Sequence, residues 1–273
     1  MPEARNKDKL TFLEHLEELR WHIIRAMAAI LIVAIAAFLC KHLVFDVILF
    51  GPRNLDFVTY RWLCRLSGAL SMGSALCLEE IQFSVVNLEM AGQFVTHLKV
   101  SIIAGLIVAF PYVAWEAWRF VRPALYSNEK RHATGLVMVC SLLFFFGVGF
   151  GYYIVTPFSV NFLGSYRVSQ EVQNTINLGS YINLVTMISL ASGIIFELPI
   201  AAYFLSKIGL LTPDFMSKYR RHAIVAILLV AAVITPPDVT SQIIIAIPIF
   251  LLYEVSILVS RRVVRGLEKE AAA

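Results

Sequence analysis

Residues 133–166 read ATGLVMVCSLLFFFGVGFGYYIVTPFSVNFLGSY and carry no formal charge. A helix rises about 1.5 Å per residue, so about 20 residues cross the roughly 30 Å of hydrocarbon in a bilayer. This run is long enough to cross it completely. It therefore predicts a transmembrane helix and favours the class of all-α integral membrane proteins.

The composition of the whole chain agrees with that class. Its 273 residues are 59% apolar and 15% charged, whereas soluble domains average about 45–50% apolar and about 25% charged residues. The mean hydropathy is +0.75. Too few polar residues remain for a separate soluble catalytic domain, and the same figures exclude low-complexity disorder. A single membrane domain is expected.

Six charge-poor runs are candidate spans. The fifth is short because Pro236 and Pro237 interrupt it, which predicts local membrane thinning, tilt or a helix that stops partway. The expected organisation is a cytoplasmic amphipathic tail at 1–20, a six-helix bundle at 21–260 and a cytoplasmic tail at 261–273. The six candidate spans are Trp21–Leu43, Phe94–Trp115, Thr134–Thr156, Tyr181–Lys207, Ala223–Thr235 and Val239–Val259.

The basic residues indicate the orientation of these spans. With a cytoplasmic N-terminus, 17 of the 23 Lys and Arg residues lie in inner segments and six in outer segments. The positive-inside rule therefore predicts that both termini are cytoplasmic. Three acids between Glu14 and Glu18 precede the first apolar run, which is atypical of a cleaved signal peptide. The first segment is therefore expected to remain in the mature protein. The sequence has no polybasic tail, the feature that would suggest nucleic-acid binding.

The predicted outer loops are unequal in length. The first, residues 44–93, is expected to fold over the outer face; the second covers residues 157–180, and the third is a tight turn. Cys64 and Cys77 lie in the first loop without zinc-ligand spacing. A disulfide between them requires an oxidising compartment, so the sequence leaves it open. The two halves show no internal repeat of the kind that marks many transporters.

The N-terminal tail carries a helix-start signal. Thr11 followed by Glu14 fits a capping box, which predicts an amphipathic helix at the inner surface before the first span. Glu14 and Glu18 share one face of that helix, where like charges cost a few tenths of a kcal/mol. Helix stability does not account for this pair. The alternative is a solvated acidic face on which Glu17 pairs with Arg20.

A further acid, Glu129, lies in the first inner loop, in the segment RFVRPALYSNEKRH at 119–132. In one interpretation it is a helix-dipole partner in the first turn of the third span, capped by Ser127 or Asn128. In the other it joins Glu18 as a receptor for guanidinium groups. A guanidinium ligand would suit such a receptor, since the planar fork of donors of arginine matches a carboxylate.

Glu197 lies inside the fourth span, in GIIFELPIAAYF at 193–204. A carboxyl at that depth costs several kcal/mol unless it is neutral, paired or next to water. Pro199 cannot donate to the carbonyl of Ile195, which predicts a kink. Glu197 is therefore a candidate functional residue. The alternative is a protonated Glu that bonds a neighbouring helix.

The turn Thr235-Pro236-Pro237-Asp238 ends the fifth span early. Asp238 fits the N-cap of the sixth span, and the two prolines fit the end of the fifth. A short hairpin leaves a polar-edged groove in the outer leaflet that a partner helix can occupy. Thr235 and Gln242 are then placed to form hydrogen bonds across the interface.

Taken together, these stretches resemble the TatC family, the multispanning core subunit of the twin-arginine protein translocase. The resemblance extends in order from the N-terminal tail to the last span. The matching stretches are FLEHLEELR at 12–20, FVRPALYSNEKR at 120–131, FELPIA at 196–201, LTPDF at 211–215, ITPPDVTSQ at 234–242 and AIPIFLLYE at 246–254.

The resemblance implies a glove-shaped, six-helix receptor in the bacterial cytoplasmic membrane. Such a receptor binds signal peptides with paired arginines and exports folded proteins. TatA-like and TatB-like single-span subunits are the implied partners, together with further copies of the chain in a receptor complex. The proton-motive force is the implied energy source, and no cofactor or metal is implied.

The resemblance also implies two sets of site residues. Glu18 and Glu129 receive the arginine pair, whose attraction is stronger in a medium less polar than bulk water. The implied signal-peptide site consists of Glu18, Glu129, Arg20, Phe120 and Pro123. The implied intramembrane and partner-helix site consists of Glu197, Thr235, Asp238 and Gln242.

Two other classes of function remain as alternatives. The first is a secondary transporter or channel in which Glu197 binds a proton or a cation. The second, an intramembrane hydrolase, needs a nucleophile–base pair or two metal-binding carboxylates at midplane depth. The sequence supplies only Glu197 there, and it contains no nucleophile elbow, phosphate loop or metal cluster, so an enzyme is not expected.

Overall fold

A computed structural model describes most of the chain. The described residues are 12–54, 56–69, 83–121, 133–169, 171, 174–235 and 239–272. They belong to two compact units. Unit 1 comprises Met1–Leu39 and Ser101–Ser141, and unit 2 comprises Cys40–Val100 and Leu142–Ala273.

Helices dominate both units. The α-helices are α1 Phe12–Leu39, α2 Val58–Ala69, α3 Gly92–Val121, α4 Ala133–Phe150, α5 Thr156–Ser165, α6 Leu178–Phe196, α7 Leu198–Lys207, α8 Pro213–Lys218, α9 Arg220–Ile234 and α10 Val239–Ala272. Shorter elements are the π-helices Leu43–Leu49 and Gly151–Val155, the 3-10 turn Gly51–Arg53, and the strands β1 Ser84–Val86 and β2 Thr175–Asn177.

Within the described residues, five helical stretches are long and apolar enough to cross a membrane. They are Leu16–Leu39, Gly92–Phe120, Gly135–Ser165, Leu178–Lys207 and Val239–Glu268. The remaining predicted span is α9, which has 15 residues and is therefore about 22 Å long at 1.5 Å per residue. The predicted short fifth helix is confirmed.

The helix expected in the N-terminal tail is continuous with the first span. α1 runs for 28 residues without a break. Neither Gly nor Pro occurs between Phe12 and Leu39, so nothing interrupts the backbone hydrogen bonds. The expectation of a distinct surface helix therefore differs from the structure, in which the tail extends the first span.

The α1 and α3 helices of unit 1 pack antiparallel. Gly105 of α3 lies against Ile30 and Ala34 of α1, and a Cβ atom there would come within 2.6 Å of the Ile30 carbonyl oxygen. Further toward the start of α1, His22 meets Glu116 near the end of α3. Contacts that advance along one helix and recede along the other establish the antiparallel arrangement.

The core of unit 2 is apolar. Its buried members come from the second π-helix, α6, α9 and α10, and they are Val155, Ile188, Ile227, Ala231, Ile234, Ile245 and Ile249. Beside this core α4 and α6 approach closely at Gly147. A Cβ atom at Gly147 would lie 2.7 Å from the Ser192 carbonyl oxygen and 2.7 Å from Phe196 Cβ.

The predicted kink in the fourth span is confirmed. α6 ends at Phe196 and α7 begins at Leu198. The Glu197 amide donates to the Ile194 carbonyl at 3.1 Å, which closes a three-residue 3-10 turn in place of the four-residue α-helical turn. Pro199 supplies no amide donor. The fourth span is therefore two helices joined at Glu197.

The segment between the first two spans is ordered by several contacts in its described part. β1 pairs in parallel with β2, with Ser84 opposite Thr175. The buried Tyr60 hydroxyl donates to the Pro52 and Pro157 carbonyls at 2.8 and 3.2 Å, and burial raises its pKa. Cys64 is disulfide-bonded, whereas Cys40 and Cys140 do not form disulfides. Cys77 lies outside the described residues.

Candidate functional site

The predicted signal-peptide residues fall on unit 1. Glu18 is half-buried on α1, and Phe120 is half-buried in the last turn of α3. Glu129 and Pro123 lie outside the described residues. The described part of the predicted site therefore consists of one carboxylate, Glu18, one exposed guanidinium, Arg20, and one aromatic ring, Phe120.

Arg20 pairs with Glu17 and not with Glu18. The distance from its Nη2 atom to Glu17 Oε1 is 3.8 Å, and both side chains are more than 60% exposed. The guanidinium also lies 5.7 Å from the ring centre of Trp21. An exposed pair of this kind contributes about 0–1 kcal/mol. The pairing that the sequence suggested is confirmed, and it leaves the Glu18 carboxylate outside the pair.

Among the described acids of unit 1, Glu116 has the most polar partners, and its side chain is only 2% exposed. Tyr112 donates to its Oε1 atom at 2.9 Å, and His22 bonds its Oε2 atom. Arg25 Nε lies 3.4 Å from Oε2, and Arg119 Nη1 lies 3.5 Å from Oε1. We call these five residues the Glu116 cluster.

The Glu116 carboxylate determines which atoms of the Glu116 cluster donate hydrogen bonds. An ionised carboxylate can only accept hydrogen bonds, so His22 donates from Nδ1 and Tyr112 donates from its hydroxyl. The Arg25 and Arg119 side chains are 42% and 47% exposed, so their guanidinium groups retain part of their hydration. The carboxylate is thus buried with donors on both oxygens, which is the condition under which a buried charge is stable.

The Glu116 cluster also positions predicted site residues. Glu18 precedes His22 by four residues on α1, and Phe120 follows Glu116 by four residues on α3, so each lies one turn from the cluster on the same helix face. Because α1 and α3 are antiparallel, both turns extend toward the same end of unit 1. The His22 and Phe120 rings are 6.2 Å apart, edge to face.

Glu116 was not among the candidates that the sequence suggested. The predicted second span ends at Trp115, so Glu116 falls just outside it, at a polar boundary. One local signal was available: Tyr112, Glu116 and Arg119 are spaced to share one helix face. The partners His22 and Arg25 are about 90 residues away along the chain, and no periodicity connects them to Glu116.

The predicted intramembrane residue Glu197 lies in unit 2, at the α6–α7 junction. Both carboxylate oxygens are shielded from solvent. The preceding residue, Phe196, packs against the rings of Phe146 and Phe150 at 5.7 and 5.5 Å. The Glu197 carboxyl group is therefore shielded at a helix break, one residue after a member of an aromatic cluster.

The predicted partner-helix residues of unit 2 make intramolecular hydrogen bonds. Thr235 is buried and its hydroxyl donates to the Ala231 carbonyl at 2.9 Å. Gln242 donates from Nε2 to the Leu228 carbonyl at 3.2 Å, which links α10 to α9. Asp238 lies outside the described residues. Contact of these residues with a partner helix stays a prediction.

Comparisons with known proteins match nearly the whole chain. A family model described as Sec-independent protein translocase protein (TatC) matches residues 14–248. The TatC protein of Blattabacterium sp. subsp. Periplaneta americana is 38% identical over 255 residues, which are 93% of this chain and 96% of that protein. The TatC protein of Desulforapulum autotrophicum is 34% identical over 258 residues, which are 94% and 87% of the two chains.

Two solved structures of a twin-arginine translocase receptor, TatC, are also similar. One, determined in the detergent DDM, has a TM-score of 0.69 and 34% identity, and the match covers 90% of this chain and 99% of that chain. The other has a TM-score of 0.64 and 31% identity, and the match covers 92% and 99% of the two chains.

Proposed function

The chain belongs to the TatC family of Sec-independent protein translocase proteins, and from this membership we propose that it is the signal-peptide receptor and core component of a twin-arginine translocase. The observation that carries the proposal is the match to TatC receptor structures over nine-tenths of the chain. In this role the chain transports other proteins and performs no covalent chemistry.

The proposed binding reaction is ionic recognition of two arginines. Glu18 supplies one carboxylate from α1, and Glu129 supplies the second from the segment that follows α3. Each guanidinium presents a planar set of donors that matches a carboxylate in a bidentate manner. Half-burial of Glu18 strengthens the attraction because the surroundings are less polar than bulk water.

The Glu116 cluster supports Glu18 in this role. Arg25 and Arg119 are both directed at Glu116, so these two guanidinium groups are already compensated by a buried carboxylate. Among the described residues, no ion pair includes Glu18. None of the described cations of unit 1 pairs with Glu18. An arginine of a signal peptide can therefore pair with it.

The cellular setting of the receptor follows from the same proposal. We place it as a multi-pass protein in the bacterial cytoplasmic membrane, with both termini in the cytoplasm, as the distribution of basic residues predicts. Its partners are TatA-like and TatB-like single-span subunits, further copies of the chain, and signal peptides of folded cargo. Glu197, Thr235 and Gln242 are the residues proposed to affect contact with a partner helix.

Signal-peptide binding by purified variants tests the proposal. We expect Glu18→Gln and Glu129→Gln each to weaken binding of a fluorescent twin-arginine peptide by at least about tenfold, the loss expected when a charge-assisted hydrogen bond is removed. Glu17→Gln is the matched control, since it makes the same charge change on the same helix at an exposed position. Its affinity should stay within about twofold of the wild-type value.

Two outcomes would contradict the receptor proposal. One is wild-type affinity in both Glu18→Gln and Glu129→Gln, with the variants folded and inserted. The other is flux of an ion or solute through liposomes that contain only this chain, with loss of flux in Glu197→Gln. That second result would support the transporter or channel alternative.

A further inference from the structure

Unit 2 contains a cavity of about 700 Å³, and its described lining includes none of the proposed signal-peptide residues. It lies between the first π-helix, the 3-10 turn, β1 and the first turns of α3 and α6. Sites for small molecules are commonly clefts of about 300–1,000 Å³. The cavity is therefore large enough for a lipid headgroup and the adjoining part of an acyl chain.

The charged lining of the cavity is mainly basic. Lys41, Arg53, His42 and His97 line it, and the acid among its lining residues is Asp46, whose Oδ2 atom lies 3.7 Å from His42 Nε2. Among the described lining residues, two permanent cations face one carboxylate, so this part of the cavity favours an anionic ligand.

Arg53 is held in place before any ligand binds. Its Nη2 atom donates to the Phe83 carbonyl at 3.2 Å, and its guanidinium carbon lies 5.5 Å from the centre of the Phe83 ring. A guanidinium has five donor hydrogens, so this bond leaves others to bind an oxyanion. A fixed guanidinium loses less conformational entropy on binding than a mobile one.

The remaining walls are apolar, and the cavity lies at the ends of spans. Phe45, Phe50 and Phe94 line it. Phe94 is in the first turn of the span Gly92–Phe120, and Leu178, also a lining residue, begins the span Leu178–Lys207. Such positions fall at the boundary between hydrocarbon and headgroups. A ligand there meets charge and an apolar wall together.

We propose that this cavity is a binding site for the phosphate headgroup of an anionic phospholipid. The two cations bind the phosphodiester, and the phenylalanine side chains contact the glycerol and upper acyl carbons. A zwitterionic headgroup suits the site less well, because its quaternary or primary amine would approach Lys41 and Arg53. The inference is independent of the receptor proposal, since it uses none of the signal-peptide residues.

Native mass spectrometry of the full chain in neutral detergent tests this site. Phosphatidylglycerol and phosphatidylcholine with identical acyl chains are titrated separately. We expect tighter binding of phosphatidylglycerol, and a loss of at least about tenfold in its affinity in the double variant Lys41→Gln/Arg53→Gln. The double variant Arg61→Gln/Arg65→Gln on α2 is the matched control and should retain affinity within about twofold.

Further measurements keep the proposal falsifiable. If Lys41→Gln/Arg53→Gln does not fold, the single Lys41→Gln variant changes an exposed side chain and should weaken phosphatidylglycerol binding by about threefold. Equal affinity of the wild-type chain for the two lipids, or an equal loss in the α2 control, would overturn the proposal. Displacement of the lipid by an equal concentration of inorganic phosphate or glycerol phosphate would also overturn it, because the site would then select a soluble phosphate.

Discussion

Unit 1 and unit 2 hold their helices together by different means. In unit 1 the α1–α3 contact includes a buried carboxylate that receives hydrogen bonds from His22 and Tyr112 and faces two guanidinium groups. In unit 2 the core consists mostly of Ile and Val side chains. α4 and α6 approach each other closely at Gly147, because glycine has no side chain there. Unit 2 also contains an ion pair, Arg220–Glu254 at 2.8 Å, but both of its side chains are partly exposed. We therefore expect charge balance to matter more in unit 1 and close packing to matter more in unit 2.

The difference has a physical reason. Helices in a bilayer gain little from burying apolar surface, so they associate through close packing and hydrogen bonds. Unit 2 uses close packing where α4 and the second π-helix meet α6. Unit 1 places its polar contact near the ends of α1 and α3, where half-exposed arginines keep their hydration. The two units should therefore respond to different kinds of substitution.

The largest effect is expected for Glu116→Ala. The change leaves the His22 donor and the Tyr112 hydroxyl without their acceptor, and it leaves two guanidinium groups without their counter-charge. Breaking a buried ion pair costs about 3–5 kcal/mol, and the partial exposure of both arginines favours the lower end, about 3 kcal/mol. Unfolding in mixed micelles with increasing dodecyl sulfate measures this free energy.

Glu17→Ala is the control for that measurement, because Glu17 is exposed and its pair with Arg20 is weak. Its free energy of unfolding should change by less than about 0.5 kcal/mol. If Glu116→Ala is no more destabilising than Glu17→Ala, charge balance does not hold unit 1 together, and the contrast between the units fails.

In unit 2 a steric change should have the strongest effect. Gly147→Val places side-chain carbon where Ser192 and Phe196 already lie, 2.7 Å from the position of the new Cβ atom. Overpacking of this kind typically costs about 1–3 kcal/mol, and we expect about 2 kcal/mol in the same unfolding assay.

Gly149→Val separates close packing from helix propensity. Nothing lies within 4 Å of a Cβ atom at Gly149, although the change of residue and helix is identical to that at Gly147. The difference between the two variants therefore measures the α4–α6 contact. Equal destabilisation would assign the whole effect to propensity and would remove the evidence that unit 2 is held by shape.

Much of this fold is predictable from the sequence. Charge-free runs identify the spans, since each must satisfy its backbone hydrogen bonds internally. Pro199 identifies the kink at Glu197, and the two prolines at 236 and 237 identify the short α9. The short strands β1 and β2 were not predicted, because three residues are too few for a periodic pattern.

The site was predictable only in part. Glu18 and Phe120 come from motifs that resemble the TatC family, and the comparisons confirm the family. The Glu116 cluster requires contacts between residues about 90 positions apart, and local patterns contain no such information. A charged residue at the end of an apolar run also has two interpretations, a boundary or a buried site, and only its neighbours in space distinguish them.

The smallest effect on stability is expected for Glu197→Gln, and it compares the buried acids of the two units directly. The Glu197 carboxyl oxygens are shielded from solvent at a helix break, and a carboxyl at membrane depth is less costly when neutral. Glutamine has nearly the same shape as a neutral carboxyl, so the free energy of unfolding should fall by less than about 1 kcal/mol. Glu116→Gln should cost clearly more in the same assay, because it removes the charge that Arg25 and Arg119 face. If Glu197→Gln costs as much as Glu116→Gln, the carboxylate charge of Glu197 is itself stabilising, and unit 2 depends on charge as unit 1 does.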